Sequence, residues 1–225
     1  MAKILITGGT GFVGRWMKET MPYGVGCRFL DRKGYDFFWD VWETETWDCI
    51  IHLAPVAPDR VIELAKRDNA RLLYCSSGIV YHPENDTEYR QNKIKWEQEC
   101  IASGADVVIA RLFAFYGAWL DDNKAITQFI RAAKKGEPLR IWGDGNTVRS
   151  YMSGRTMARW LWAILLRGQT GEAYDVGDDK PVTMLELARM VVKYYRPAPI
   201  LIEGGVDAMP VYLPRDTAKT KALLK

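Results

Sequence analysis

The chain has 225 residues, 48% of them hydrophobic, with 31 basic against 28 acidic side chains and a formal net charge of +3. That is enough apolar material for a sizeable core with a smaller lobe, and too even a charge balance for a nucleic-acid binder. Cys27, Cys49, Cys75 and Cys100 lack CxxC spacing and only His52 and His82 accompany them, which argues against a metal site and for a reducing, cytoplasmic setting. The N-terminus reads as a strand rather than a charged leader. The longest apolar run, WLWAILL at 160–166, is far too short to cross a membrane.

In chain order, residues 3–7 predict a first strand, 11–20 a helix, and GCRFL (26–30) a second strand. DFFWDV and DCIIHLA predict two more strands, APDRVIELAKRDN a short helix, and ARLLYCSS another strand. A polar helix over 86–103 ends at Ser103-Gly104, and the nearly all-apolar ADVVIARLF reads as a strand buried on both faces. Alternating strands and helices predict an α/β fold with a doubly wound parallel sheet. Past Gly117 the texture changes, with helices at 124–135, 154–167 and 183–195, a Pro-rich loop and a short C-terminal helix. The expected organisation is a cofactor-binding core over 1–116. Residues 117–225 then form mainly a small substrate-binding lobe, with segments near 150–178 returning to the core.

Three glycines in TGGTGFVG, Gly8, Gly11 and Gly14, follow the first strand at GxxGxxG spacing. Such a turn takes one glycine for the bend, one for close approach of a phosphate, and one for packing helix on sheet. The helix N-terminus then offers N–H groups and a positive dipole end to a pyrophosphate. Asp31 closes the second strand, where a carboxylate accepts from the adenosine ribose hydroxyls. Arg32 and Lys33 follow it and partly offset its selection of NAD over NADP.

Among eleven tyrosines only Tyr89 has a lysine four residues on, Lys93. On a helix the two share a face, and a cation beside a phenol favours the phenolate, as a proton-transferring group requires. Ser76 and Ser77 end the preceding strand, where a hydroxyl is placed to hold a carbonyl oxygen. No acid stands near a histidine in a hydrolase-like pattern, so His52 and His82 read as structural or exposed.

Taken in order, these motifs resemble the extended short-chain dehydrogenase/reductase family, in its NAD-dependent epimerase/dehydratase branch, through nearly the whole chain. The resemblance implies a Rossmann-like core with a small C-terminal substrate-binding lobe. TGGTGFVG is similar to the family's phosphate loop, which adds Thr10, Phe12 and Val13 to the glycines. WDV brings Asp40 and Val41 to the adenine. DCIIHLAP resembles the strand that lines the cofactor with Leu53, Ala54 and Pro55. SSGIVY is similar to the catalytic serine strand, with Ser77 four before Tyr81, and YRQNK to its YxxxK. VVIARLFAFYG resembles the following strand, with Phe113 at the cofactor. PLRIWGDGNTVRSYM and PRDTAKTKALL resemble the sugar-nucleotide segments, placing Arg149 and Arg215 at a substrate diphosphate.

The resemblance implies a nucleotide-sugar epimerase working by hydride transfer at a ring carbon. Tyr89 is then base and acid, Lys93 tunes it and holds the ribose, and Ser77 positions the substrate oxygen. The cofactor is NAD, with NADP as the alternative. A 4-keto nucleotide-sugar reductase, a non-catalytic NAD(P) sensor and a dehydrogenase acting on a small non-sugar carbonyl are the other readings, and Arg149 with Arg215 speaks against the last. Several departures stand out. The helix between HLAP and ARLLYCSS is shortened and the loop from Tyr81 to Tyr89 contracted. Ala114 replaces an Asn, Ser150 and Thr156 replace two acids, and Gly78 and Ile79 stand where 4,6-dehydratases carry an Asp–Glu pair. The short helix exposes Asp59, Arg60, Glu63 and Lys66 where the family dimerises, so a monomer or weak homodimer is expected.

Overall fold

A computed structural model describes residues 2–30, 45–205 and 211–225. In chain order, β1 (Ala2–Thr7), α1 (Phe12–Glu19), β2 (Val25–Leu30), β3 (Cys49–His52), α2 (Asp59–Asp68), β4 (Arg71–Ser77), a 3-10 turn (Gly78–Tyr81), α3 (Glu88–Ala102) and β5 (Val107–Leu112) come first. Then follow β6 (Ala114–Tyr116), α4 (Ala125–Lys135), β7 (Leu139–Trp142), β8 (Val148–Arg149), β9 (Tyr151–Ser153), α5 (Gly154–Arg167), β10 (Ala173–Val176), β11 (Val182–Thr183), α6 (Met184–Tyr194), β12 (Ile200–Glu203) and α7 (Thr217–Ala222). The strand expected at DFFWDV, and with it Asp31, Arg32, Asp40 and Val41, lies outside the described residues.

Among the described residues six strands form one sheet in the order β10-β5-β4-β3-β1-β2, every neighbouring pair parallel. Side chains alternate across it, as the period of two requires. Ile4, Ile6, Ile51, Leu73, Val108 and Ala110 face α1 and α5, whereas Leu5, Ile50, Leu72, Tyr74 and Ile109 face α2 and α3. Both faces are covered, which explains why the strands read as nearly continuous apolar runs. The 160–166 run belongs to α5, whose Met157, Leu161, Ile164 and Leu165 are fully buried against the sheet. Among the described residues no helix is long and apolar enough to cross a membrane.

A separate apolar cluster joins Ile126, Phe129 and Ala133 of α4 to Leu139 and Ile141 of β7 and to Leu187, Ala188 and Val191 of α6. Helix α6 starts sharply because Thr183 and Glu186 form a reciprocal capping box. Strand β10 carries the chain back to the edge of the main sheet, and α7 packs over it.

His52 is fully buried in the sheet. Its Nε2 lies 3.1 Å from the Val56 carbonyl and its Nδ1 2.9 Å from Thr7 Oγ1, the residue paired with it across β1 and β3. A carbonyl only accepts, so Nε2 carries the proton and Nδ1 accepts from the threonine hydroxyl. Burial pushes the imidazole pKa down to about 4 from 6.5. The unfolded chain therefore binds a proton that the native state refuses, and stability falls as pH drops from about 6.5 to about 4, by about 3 kcal/mol in all. Urea unfolding across that window reads the slope. It flattens in His52→Gln, and equal slopes in the two proteins contradict this role.

The third glycine of the turn is fixed by packing. A Cβ on Gly14 meets the backbone oxygens of Gly8 and Gly9, both at 2.6 Å. Gly14→Ala therefore costs about 2 kcal/mol in urea denaturation, and an unchanged midpoint contradicts the packing argument.

Candidate functional site

Strand β1 has β2 on one side and β3 on the other, so the sheet changes winding direction there. A crevice at the carboxyl ends of the strands opens at such a point. Gly8 bends the chain out of β1 with a left-handed φ of +71°. It lies so close to β3's end that a Cβ there would be 3.0 Å from the Ala54 nitrogen and 3.1 Å from the Leu53 carbonyl carbon. Gly11 differs. A Cβ there would approach only the Gly8 oxygen, at 3.4 Å, and would otherwise project into open space. Gly11 is also the N-cap of α1, with no side-chain cap and no acid in the first turn, so the helix end remains open to an anion. Thr10, Phe12 and Val13 complete this turn, with Arg15 Nε donating to the Thr10 carbonyl at 2.9 Å. This cradle fits a dinucleotide's diphosphate.

Beside it lies a cavity of about 700 Å³. Val13, Leu53, Pro55, Ser77, Tyr89, Lys93, Phe113 and Arg149, all expected from the sequence, line it. Tyr89 and Lys93 come from successive turns of α3, which Thr87 caps through the Arg90 amide. Tyr89 is half exposed, at 49%. Lys93 is buried, and its Nζ donates to Tyr74 Oη at 3.2 Å and to the Cys75 carbonyl at 3.0 Å. Its distance to the Tyr89 ring centroid is 5.9 Å. The ammonium is thus anchored on β4. Burial lowers the Lys93 pKa from its ordinary value. Ser77 closes β4, and its Oγ accepts from the Ile79 amide at 3.3 Å.

Arg215 stands apart from the expected pairing with Arg149. It is not among the cavity's walls. Its guanidinium stacks on Tyr81 at 4.1 Å and donates to the Tyr81 carbonyl at 3.0 Å. The backbone around it explains this, because the amides of Arg215 and Asp216 both donate to Asp175 Oδ2, pinning the tail to β10.

Sequence reasoning missed Tyr212. Its hydroxyl is 3.0 Å from Ser77 Oγ, and its ring packs on Phe113 and His82, each at 5.2 Å. An isolated bridge pairs it with Arg149. No local periodicity marks such a residue. Asn123, Lys124 and Tyr151 were also missed as walls. Ser76 lines the cavity too, with a buried hydroxyl that has no partner among the described residues.

Known proteins share this architecture. The chain is 29% identical over 188 residues to UDP-glucuronic acid decarboxylase 4 of Arabidopsis thaliana, a match that takes in 73% of this chain and 42% of that protein. The chain therefore spans less than half the length of that relative. Two solved structures superpose on nearly all of it. They are dTDP-glucose 4,6-dehydratase of Bacillus anthracis with NAD (TM-score 0.84, 18% identity, 100% of this chain and 90% of that one), and UDP-glucuronic acid 4-epimerase of Bacillus cereus with UDP-glucuronic acid and NAD (TM-score 0.81, 19% identity, 99% and 92%). At such identities they attest the fold. Residues 42–177, more than half of the chain, match the sequence model of one family, and the chain belongs to that family, the NAD dependent epimerase/dehydratases.

Proposed function

We propose that the chain is an NAD-dependent enzyme that oxidises a ring hydroxyl of a nucleotide-activated sugar transiently, with epimerisation as the net reaction. The observation that carries this reading is the convergence of Ser77, Tyr89, Lys93 and Arg149 on one cavity beside the Gly8–Gly14 turn. Bound NAD supplies the hydride acceptor. The glycine turn and the open end of α1 hold its diphosphate. The residues Asp31, Arg32, Asp40 and Val41 are assigned to its adenosine end from the sequence.

Ser77 holds the reacting oxygen and Tyr89 takes its proton. Lys93, fixed on β4, carries the positive charge that steadies the deprotonated phenol across the cavity. Arg149 and Lys124 supply cationic wall to an anionic substrate. The polar outer face of α2, with Asp59, Arg60, Glu63 and Lys66 exposed, supports a monomer or weak homodimer.

A second reading, decarboxylation of a nucleotide-activated uronic acid, is favoured by the similarity to a UDP-glucuronic acid decarboxylase. Oxidation of the hydroxyl β to the carboxylate gives a β-keto acid, which loses carbon dioxide without a further acid. Incubation with UDP-glucuronic acid separates the two. An epimer keeps the carboxylate, whereas decarboxylation gives a UDP-pentose.

Dehydration is disfavoured. A Cβ at Gly78 runs into the Phe113 ring, so the site has no room for the acid that 4,6-dehydratases carry there. No 4-keto-6-deoxy product is expected from any nucleotide hexose, and its appearance by mass spectrometry contradicts this part of the reading.

Tyr89→Phe removes the phenolic proton alone. Turnover falls at least about a thousandfold while NAD affinity in calorimetry stays within about twofold. Lys93→Ala lowers both. Retained turnover in Tyr89→Phe overturns the relay.

Gly11→Ala separates fold from cofactor. Its Tm stays near wild type because the added methyl enters open space, and NAD binds at least about tenfold more weakly because the methyl occupies the diphosphate's place. Undiminished NAD affinity places the cofactor elsewhere.

A further inference from the structure

We infer that Tyr212 fixes the hydrogen-bond polarity of Ser77, so that Ser77 meets the reacting oxygen only as a donor. The inference rests on the reading of Ser77, Tyr89 and Lys93 as the relay.

Tyr212 is a built wall of the cavity. Its amide donates to the Val148 carbonyl at 3.2 Å and its backbone bridges to Arg149. Its ring is boxed by Phe113, His82 and the Arg149 guanidinium, the last 5.6 Å away. The phenol therefore reaches Ser77 from a fixed direction. Burial holds its pKa above the ordinary tyrosine value, so it stays protonated near neutrality. A phenol is the more acidic of the two hydroxyls and the alkyl hydroxyl the better acceptor, so across the 3.0 Å contact with Ser77 Oγ it is Tyr212 that donates.

A serine oxygen has one proton and two lone pairs. On Ser77 one lone pair takes the Ile79 amide at 3.3 Å and the other takes the Tyr212 hydroxyl. What remains is the Ser77 proton, free to turn into the cavity that Tyr89 also lines. Ser77 then has no capacity to accept a proton from a substrate hydroxyl, and acceptance falls to Tyr89. Two hydroxyls on one substrate oxygen thus take opposite roles, and the arrangement selects an oxygen that is becoming a carbonyl.

A double-mutant cycle tests this on whichever nucleotide sugar the wild type turns over. Tyr212→Phe lowers kcat about tenfold, the size of one hydrogen bond, with KM and NAD affinity within about threefold and Tm near wild type. In a Ser77→Ala background the same substitution changes kcat less than about twofold, because Tyr212 has lost the group it acts through. Equal losses in both backgrounds, or no loss in either, overturn the inference.

Tyrosines labelled with carbon-13 at Cζ read the same link without turnover. The Tyr212 resonance, identified by its loss in Tyr212→Phe, shifts in Ser77→Ala, and an unmoved resonance overturns the inference whatever the substrate. A wild type that turns over no nucleotide sugar, with the resonance still moving, overturns the functional reading and leaves the hydrogen-bond assignment standing.

Discussion

The site is organised around a buried ammonium. Taking Lys93 out of water is costly unless its donors are met, and two of the three are met by Tyr74 Oη and the Cys75 carbonyl at the end of β4. That requirement locks α3 to the sheet at one rotation and one height. One turn earlier Tyr89 is thereby presented at the cavity, and one turn later Glu97 is driven into the protein. Helix α3 has almost no apolar stripe to orient it, since its buried residues are Lys93, Glu97 and Cys100. The polar anchors do what a hydrophobic face does in α5.

Glu97 continues the chain of constraint. It meets Arg111 of β5 through two hydrogen bonds, 3.0 and 2.6 Å long. Arg111 also donates to the Tyr81 hydroxyl at 2.7 Å, and Tyr81 donates to Asp175 at 3.0 Å. Asp175 in turn holds the amides of Arg215 and Asp216. A continuous polar path therefore runs from the helix of the relay to the C-terminal tail that delivers Tyr212. Each member is part-buried and partnered, so removing one leaves its neighbour unsatisfied at full desolvation cost.

Much of this was legible in the sequence for physical reasons. Apolar runs such as ILI and VVIARL marked strands because the sheet is covered on both faces. TGGTGFVG marked the turn because Gly8 needs a left-handed φ and Gly14 a contact without a Cβ. Tyr89 and Lys93 were visible because helical spacing of four brings side chains to one face. Tyr212 was not, because it reaches Ser77 across 135 positions through a single bridge and carries no pattern of its own. Arg215 was read onto the substrate from a motif, but its side chain direction depends on Tyr81, which the motif does not encode. The two acceptors on β4 that hold Lys93 are likewise revealed by no local spacing.

The proposed reaction is oxidation of a sugar ring carbon in the Ser77–Tyr89–Lys93 cavity by the cofactor held at the glycine turn. The most direct measurement is isotope transfer in a single turnover. A UDP-sugar carrying deuterium at the oxidised carbon is mixed with the NAD-loaded protein, quenched early, and the nicotinamide examined by mass spectrometry. Deuterium is expected on the reduced nicotinamide in the wild type and none in Tyr89→Phe. Product formed with no label ever reaching the nicotinamide would contradict it.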